Sequence, residues 1–205
     1  MSSARLIRWS GVALALGGIA IALFVLALVP IGGFDAGGKA ENTLTGIYRL
    51  SHGLHILGAV LALFGLVGLY GRLKDRTGWL GLIGFVLAFV GTSLFVGLGM
   101  IAEFIVPVLA VSAPPLLDPA GPLGASSPLF PLTFLPFLVG YILLGIATLR
   151  AGVLPRWSGL LLIIAAVLFA LPVPWPVPVA GAIAYGAGLI WLGSALWGAA
   201  EMARP

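Results

Sequence analysis

The chain has 205 residues, of which 61% are hydrophobic and 8% are charged. A soluble domain has about a quarter charged residues, so this composition excludes a water-soluble globular protein. The formal net charge is +4, but the basic residues form no patch with interleaved aromatics, and we expect no nucleic-acid partner. The absence of cysteine excludes disulfides, thiolate metal sites, iron–sulfur clusters and cysteine nucleophiles.

Long segments of the chain carry no charged residue, among them 9–34, 77–102, 119–149 and 157–200. A helix needs about 20 apolar residues to cross the hydrocarbon core, and the last segment is long enough for two crossings. The sequence therefore predicts an all-α integral membrane bundle of six transmembrane helices, forming a single domain over residues 1–205. The spans lie at roughly 9–30, 48–70, 79–107, 129–149, 157–172 and 179–199.

Breaks between these spans have recognisable causes. Residues 31–38 are rich in glycine, 71–78 form a charged turn, and 112–128 hold five prolines. Residues 172–178 read PVPWPVP, which cannot continue a helix because alternate residues lack an amide donor. We therefore expect short turns at one face and longer loops after the first and third spans.

The distribution of basic residues predicts the orientation, because cytoplasmic loops are enriched in lysine and arginine. Eight of the ten lysine and arginine residues lie on one side of the membrane in this prediction: Arg5, Arg8, Arg72, Lys74, Arg76, Arg150, Arg156 and Arg204. Lys39 and Arg49 lie on the other. Both termini are therefore expected in the cytoplasm, with the first span retained and the chain a multi-pass protein of the cytoplasmic membrane. Trp9, Trp79, Trp157 and Trp175 are expected to act as interface anchors.

One tetrapeptide suggests an internal repeat. Arg-Trp-Ser-Gly occurs at 8–11 and again at 156–159, and residues 78–81 form a looser copy. Three related helical hairpins would produce this pattern. A general preference for arginine, tryptophan and glycine at such an interface would also produce it. Both explanations stay open at this point.

Four ionisable residues are expected within or beside the spans: Arg49, His52, His55 and Glu103. Such residues are costly in lipid, so each is a candidate for ligand binding or proton relay. In one interpretation Arg49 and Glu103 pair at the outer interface, and the histidines hydrogen-bond backbone or water. In a second, His52 and Glu103 exchange protons. In a third, His52, His55 and Glu103 hold a metal ion with an open water position.

A haem is constrained by the same residues, because its axial ligands must approach from opposite faces of the ring. His52 and His55 lie on one helix, so a bis-histidine haem within one chain is excluded. A histidine–methionine pair using Met100 stays open, as does a quinone. No Gly-x-Ser-x-Gly, His-Glu-x-x-His or Walker pattern occurs, and no catalytic residue is predicted. We interpret Tyr48, Tyr141 and Tyr185 as interface or packing residues.

Several stretches carry a family resemblance. They read LGAVLALFGLVGLYGRL after His52, then GWLGLIGFVLAFVGTSLFVG, AEFIVPVLA and LLGIATLRAGVLPRWSGLLLI. This series resembles a group of small uncharacterised bacterial multi-pass membrane proteins. The resemblance covers most of the chain and implies a bacterial cytoplasmic membrane location, with no activity or catalytic residue to carry over.

The expected function is a non-enzymatic membrane binding or accessory protein with a polar cluster near the outer leaflet. Its expected partners are the lipid bilayer and either other membrane subunits or further copies of itself, since glycine-rich helices pack closely. One alternative is a small proton-coupled transporter that uses His52 and Glu103. Another is a redox membrane subunit that binds a metal, haem or quinone.

Overall fold

The computed structural model describes residues 3–33, 40–118, 128–170 and 174–202. Of the described residues, 93% are helical and none forms a strand, which confirms the all-helical prediction. The helices are α1 (Ser3–Leu28), α2 (Ala40–Thr43), α3 (Gly46–Met100), α4 (Val106–Ser112), α5 (Leu129–Ala151), α6 (Arg156–Ala170) and α7 (Pro176–Met202). Short 3₁₀ turns cover Val29–Ile31 and Pro114–Leu117, and a π-helical turn covers Ile101–Ile105.

Helix α3 folds back on itself at Gly78. This residue has φ 51° and ψ −139°, a conformation that a residue with a Cβ rarely adopts. It divides α3 into a first arm (residues 46–77) and a second arm (residues 79–100). The rings of Tyr70 and Phe85 stack with centroids 4.7 Å apart, which shows that the arms lie antiparallel. The charged segment predicted as a turn is thus helical up to Gly78, and one glycine makes the reversal.

The long helices form a closed ring. α1 packs against the first arm of α3 on one side and against α7 on the other. The second arm packs against α5, α5 against α6, and α6 against α7. Each element therefore lies beside its neighbours in the sequence, and α7 closes the ring on α1.

Glycines allow several of these helices to approach closely. A Cβ on Gly11 would lie 2.7 Å from the carbonyl oxygen of Gly193, at the crossing of α1 and α7. A Cβ on Gly145 would lie 2.7 Å from the carbonyl oxygen of Gly159, at the crossing of α5 and α6. Similar approaches join Gly17 to Gly58 and Gly186 to Gly18. Small residues give close backbone contact where lipid supplies no hydrophobic force between helices.

Among the described residues, four helical segments are long and apolar enough to cross a membrane. They are Arg5–Ile31, Gly46–Ser112, Leu129–Ala151 and Pro176–Gly198. Arg156–Phe169 is apolar but shorter. Gly46–Ser112 has 67 residues and includes both arms of α3, so it contains two apolar lengths that run in opposite directions.

The two ends of the ring differ in charge. At one end the Arg8 guanidinium lies 3.7 Å from the ring centroid of Trp197, so the start of α1 meets the end of α7. The α3 reversal and the α5–α6 junction lie at this same end, as the contacts of Gly68 with Ser10 and of Gly84 with Leu144 show. We call it the arginine end. It carries Arg5, Arg8, Arg72, Lys74, Arg76, Arg150 and Arg156.

The opposite end, which we call the loop end, carries residues 29–33, 40–49 and 103–118. Arg49 is at this end. Parts of the expected loops, namely 34–39, 119–127 and 171–173, lie outside the described residues. Lys39 and Arg204 also lie outside them, so their predicted sides stay predictions.

Helix α7 begins within the proline-rich segment, at Pro176, ahead of the span predicted from 179. Proline is accepted in a first helical turn because the amide there has no intrahelical partner. The amide of Val179 donates to the carbonyl oxygen of Trp175 at 3.1 Å, which closes the turn.

Both copies of the repeated tetrapeptide occupy equivalent environments. Trp9 and Trp157 are exposed, whereas Ser10 and Ser158 are buried. The glycine that follows each serine lies at a helix crossing. An ancestral repeat and a shared interface preference both account for this equivalence.

Candidate functional site

The first arm of α3 starts with a well-defined cap at the loop end. Thr45 has an extended backbone, and its hydroxyl accepts a hydrogen bond from the Tyr48 amide at 3.2 Å. The same hydroxyl donates to the Asn42 carbonyl at 2.7 Å, and the Asn42 side chain donates to the Ile31 carbonyl at 2.9 Å. Threonine is a favoured N-cap because its oxygen satisfies an amide that the helix leaves without a partner. This anchoring sets the positions of the polar residues that follow.

His52 lies in the second turn of this arm and is buried. Its Nδ1 is 3.0 Å from the Tyr48 carbonyl oxygen, and its ring centroid is 4.1 Å from that of Tyr48. A carbonyl oxygen only accepts, so Nδ1 carries the proton and Nε2 is the acceptor nitrogen of the neutral ring. Ser51 donates to the same carbonyl at 2.7 Å. The backbone of its own helix therefore fixes the orientation of His52.

His55 lies one turn further along the arm, between aromatic rings. It stacks on Phe24 with centroids 4.6 Å apart, and its centroid is 6.0 Å from that of Phe95 in an edge-to-face arrangement. A Cβ on Gly99 of the second arm would lie 3.1 Å from His55 Nδ1, so glycine leaves room for the imidazole. Within the described part of the chain, the His55 ring makes no hydrogen bond.

Glu103 lies in the π-helical turn at the end of the second arm. The Val106 amide donates to the Ile101 carbonyl, five residues back, rather than to the residue four back. Pro107 explains this widening, because it lacks an amide hydrogen and its ring would clash with the Glu103 carbonyl in a regular α-helix. Such turns often occur at functional sites.

The Glu103 carboxylate faces a mixed environment. Its Oε2 is buried and has no hydrogen-bond partner among the described residues. Glu103 interacts electrostatically with both Arg49 and Tyr48, which places all three at the boundary between the arms. No ion pair within 4.0 Å joins Arg49 to Glu103, and Arg49 is exposed. We call Tyr48, Arg49, His52 and Glu103 the loop-end cluster.

The three metal-ligand candidates are not brought together. Among the described residues, no group of three histidine, aspartate or glutamate side chains is close enough to hold a metal ion. His52 is oriented by its own backbone, whereas His55 is held between the Phe24 and Phe95 rings. The described geometry thus gives the metal interpretation no support.

A buried hydrogen-bond chain was not recognised from the sequence. Tyr185 donates to the Tyr141 hydroxyl, which lies 3.0 Å from the Thr92 hydroxyl, and Thr92 donates to the Ala88 carbonyl at 2.7 Å. Because Thr92 uses its hydrogen on Ala88, Tyr141 is the donor to Thr92. Packing was the correct role for Tyr141 and Tyr185, but their burial excludes an interface position. Tyrosines on the inward faces of separate spans are the sequence signal that could have indicated these hydrogen bonds.

A small cavity lies beside the hydrogen-bonded side chains of Thr92 and Tyr185. Its volume is about 20 Å³, enough for about one water molecule. The helices of the ring all contribute to its wall: Ile21, Phe24, His55, Ala59, Thr92, Phe95, Phe137, Phe169 and Tyr185. Aromatic side chains make up most of this wall. The cavity is therefore far smaller than the roughly 300–1,000 Å³ of a typical ligand pocket.

The four tryptophans expected as interface anchors divide into two groups. Trp9, Trp79 and Trp157 are 58%, 77% and 68% exposed and lie at the arginine end. Trp175 is half-buried at the loop end, where a Cβ on Gly33 would lie 2.6 Å from its ring. Exposure of the first three suits contact with a membrane interface, whereas Trp175 closes the space between α7 and the end of α1.

No protein-family model matches the chain, and comparison with curated proteins and with solved structures finds no match. The bacterial multi-pass resemblance stays an expectation, and the function has to be inferred from the side chains themselves.

Proposed function

We propose that this chain is a non-enzymatic polytopic protein of the cytoplasmic membrane that acts as a binding or accessory protein. Its binding site is the loop-end cluster at the outer leaflet. The observation that carries this proposal is the half-buried Glu103 carboxylate at the boundary between the arms, which has no hydrogen-bond partner among the described residues. A buried polar atom without a partner, such as its Oε2, costs about 1–3 kcal/mol, and more when it is charged, so a donor bound to this carboxylate would be stabilising.

The topology in this proposal has six crossings. The antiparallel arms of α3 each cross once, and α6 crosses as the shortest span. Seven described basic residues lie at the arginine end and only Arg49 at the loop end, which supports a cytoplasmic arginine end with both termini inside.

Packing in the middle of the ring supports a binding role at its end rather than inside it. The hydrogens of the Tyr185, Tyr141 and Thr92 hydroxyls are all used within the chain of hydrogen bonds. The adjacent cavity has a volume of about 20 Å³, too small for a quinone ring. The redox-subunit alternative therefore draws no support from the centre of the ring.

A small proton-coupled transporter is the second candidate. It is favoured by one observation, that Tyr48 contacts the His52 ring and interacts electrostatically with Glu103. A histidine and a carboxyl group at one boundary can exchange protons.

Retention of a bound molecule distinguishes the binding protein from the transporter. The protein is purified from native membranes in a mild detergent and weighed intact by native mass spectrometry. We expect a bound species that is retained by the native chain and by Glu41→Gln, and retained in a clearly smaller amount by Glu103→Gln. Glu41 is the matched control because it is an exposed carboxylate at the same end.

A transport assay in proteoliposomes gives the result that would contradict the binding proposal. If the purified chain alone carries out solute-driven proton flux that His52→Ala abolishes, and no species is retained, the binding proposal is wrong and the transporter is correct.

A further inference from the structure

We propose that the loop-end cluster binds a phospholipid whose zwitterionic headgroup carries a primary ammonium, with Glu103 receiving the ammonium and Arg49 the phosphate. This inference rests on the proposed function, because it names the ligand of the same cluster.

Charge arrangement is the first support. Glu103 and Arg49 carry opposite charges at one boundary, yet they form no ion pair within 4.0 Å. A headgroup with an ammonium and a phosphate on a short linker has the complementary pair of charges. Each protein charge then faces an opposite charge on the ligand.

Hydrogen-bond chemistry limits which type of headgroup fits the cluster. A primary ammonium has three donors and no acceptor, which suits a half-buried carboxylate that has no hydrogen-bond partner among the described residues. A guanidinium has five donors in a planar fork that matches phosphate oxygens. A quaternary ammonium has the same charge but no N–H donor, so it cannot satisfy Glu103. The site should therefore distinguish the two zwitterionic headgroups.

Exposed apolar side chains beside both charges favour a lipid over a soluble zwitterion. Leu50 follows Arg49 and is 60% exposed, and Phe104 follows Glu103 and is 61% exposed. Leu57 and Met100 continue these exposed surfaces toward the middle of the two arms. Acyl chains attached to the headgroup would cover such side chains, whereas a soluble molecule would leave them bare.

Glu103 lies within the π-helical turn, at the boundary at which it interacts with Arg49 and Tyr48.

Competition between lipids tests the proposal. The protein is reconstituted in nanodiscs with equal amounts of phosphatidylethanolamine, phosphatidylcholine and phosphatidylglycerol of identical acyl chains. After release into detergent, native mass spectrometry measures which lipid is retained. We expect about tenfold preference for phosphatidylethanolamine over phosphatidylcholine, the size of one hydrogen bond to a charged group.

Variants assign the two ends of the headgroup. Glu103→Gln should abolish the preference for phosphatidylethanolamine over phosphatidylcholine. Arg49→Gln should weaken retention of all three lipids by a similar factor, since all contain phosphate. Glu41→Gln and Lys74→Gln should behave as the native chain. Thermal unfolding of each variant, compared with the native chain, checks that folding is retained.

Equal retention of phosphatidylethanolamine and phosphatidylcholine would overturn the inference, as would a preference for phosphatidylglycerol. A Glu103-dependent bound species that is not a lipid would overturn it too, while leaving the proposed binding function intact. Proton flux by the purified protein alone, with no retained species, would contradict both the lipid inference and the proposed binding function.

Discussion

At the scale of single residues, Tyr141 and Glu103 show how burial changes the role of a polar group. Tyr141 is fully buried, and its hydroxyl both receives a hydrogen bond from Tyr185 and donates one to Thr92. The Oε2 of Glu103 is also buried, but the described residues offer it no donor. The first arrangement satisfies the hydroxyl groups within the protein, and the second is the arrangement on which the proposed binding role rests.

Removal of the Tyr141 hydroxyl should destabilise the protein. In Tyr141→Phe, Tyr185 loses its acceptor and Thr92 loses its donor, so we expect about 1–3 kcal/mol less free energy of unfolding. Tyr185→Phe should cost less, because Tyr141 keeps its bond to Thr92. Unfolding by a denaturing detergent in mixed micelles measures both values.

Tyr70→Phe is the matched control for this experiment. Tyr70 stacks on Phe85 at 4.7 Å, and a phenylalanine would keep the stack, so we expect a change within about 0.5 kcal/mol. If Tyr141→Phe is as mild as Tyr70→Phe, the hydrogen-bond chain does not stabilise the fold.

At the scale of elements, two helices nearly coincide with segments that the sequence predicts as spans. The predicted span 129–149 corresponds to α5, Leu129–Ala151, and the predicted span 157–172 to α6, Arg156–Ala170. Apolar length and proline positions are local properties, so the sequence indicates them directly. The π-helical turn at Ile101–Ile105 was not predicted, although Pro107 in the sequence is its physical cause.

Close contact between elements leads to a prediction at the crossing of α5 and α6. In Gly145→Ala, the new methyl group would lie 2.7 Å from the Gly159 carbonyl oxygen and push the helices apart. Overpacking of this kind typically costs about 1–3 kcal/mol. We therefore expect a lower free energy of unfolding in the same mixed-micelle assay.

Gly53→Ala provides the control for this crossing. Gly53 is exposed within the first arm of α3, and nothing lies within 4 Å of an added Cβ. Alanine favours helix by up to about 1 kcal/mol, so this variant should be neutral or stabilised. Equal losses in both variants would show that glycine is not needed at the crossing.

At the scale of the whole molecule, the ring separates a basic end from an end with a single described cation. The closed order of helices brings the terminal turns of α1 and α7 together, with Arg8 on Trp197. It also brings the α3 reversal and the α5–α6 junction to that end. The separation of charge predicted from the sequence is thus present in three dimensions for the described residues.

The proposed orientation can be tested with single cysteines, since the native chain has none to give background labelling. In intact cells, a membrane-impermeant maleimide should label Glu41→Cys at the loop end and leave Lys74→Cys unlabelled. Both positions are exposed, and permeabilised cells should label both. Labelling of Lys74→Cys alone in intact cells would reverse the proposed topology.

The sequence by itself determined the all-helical class, the apolar lengths suited to a membrane and the unequal distribution of charge. These follow from composition and from local patterns, which do not depend on how the helices pack. Only the tertiary structure decided that the reversal is made at Gly78, that Tyr185, Tyr141 and Thr92 are hydrogen-bonded in series, and that Glu103 interacts with Arg49 without an ion pair within 4.0 Å. Such contacts depend on how each helix is rotated, and one residue turns a side chain by about 100°.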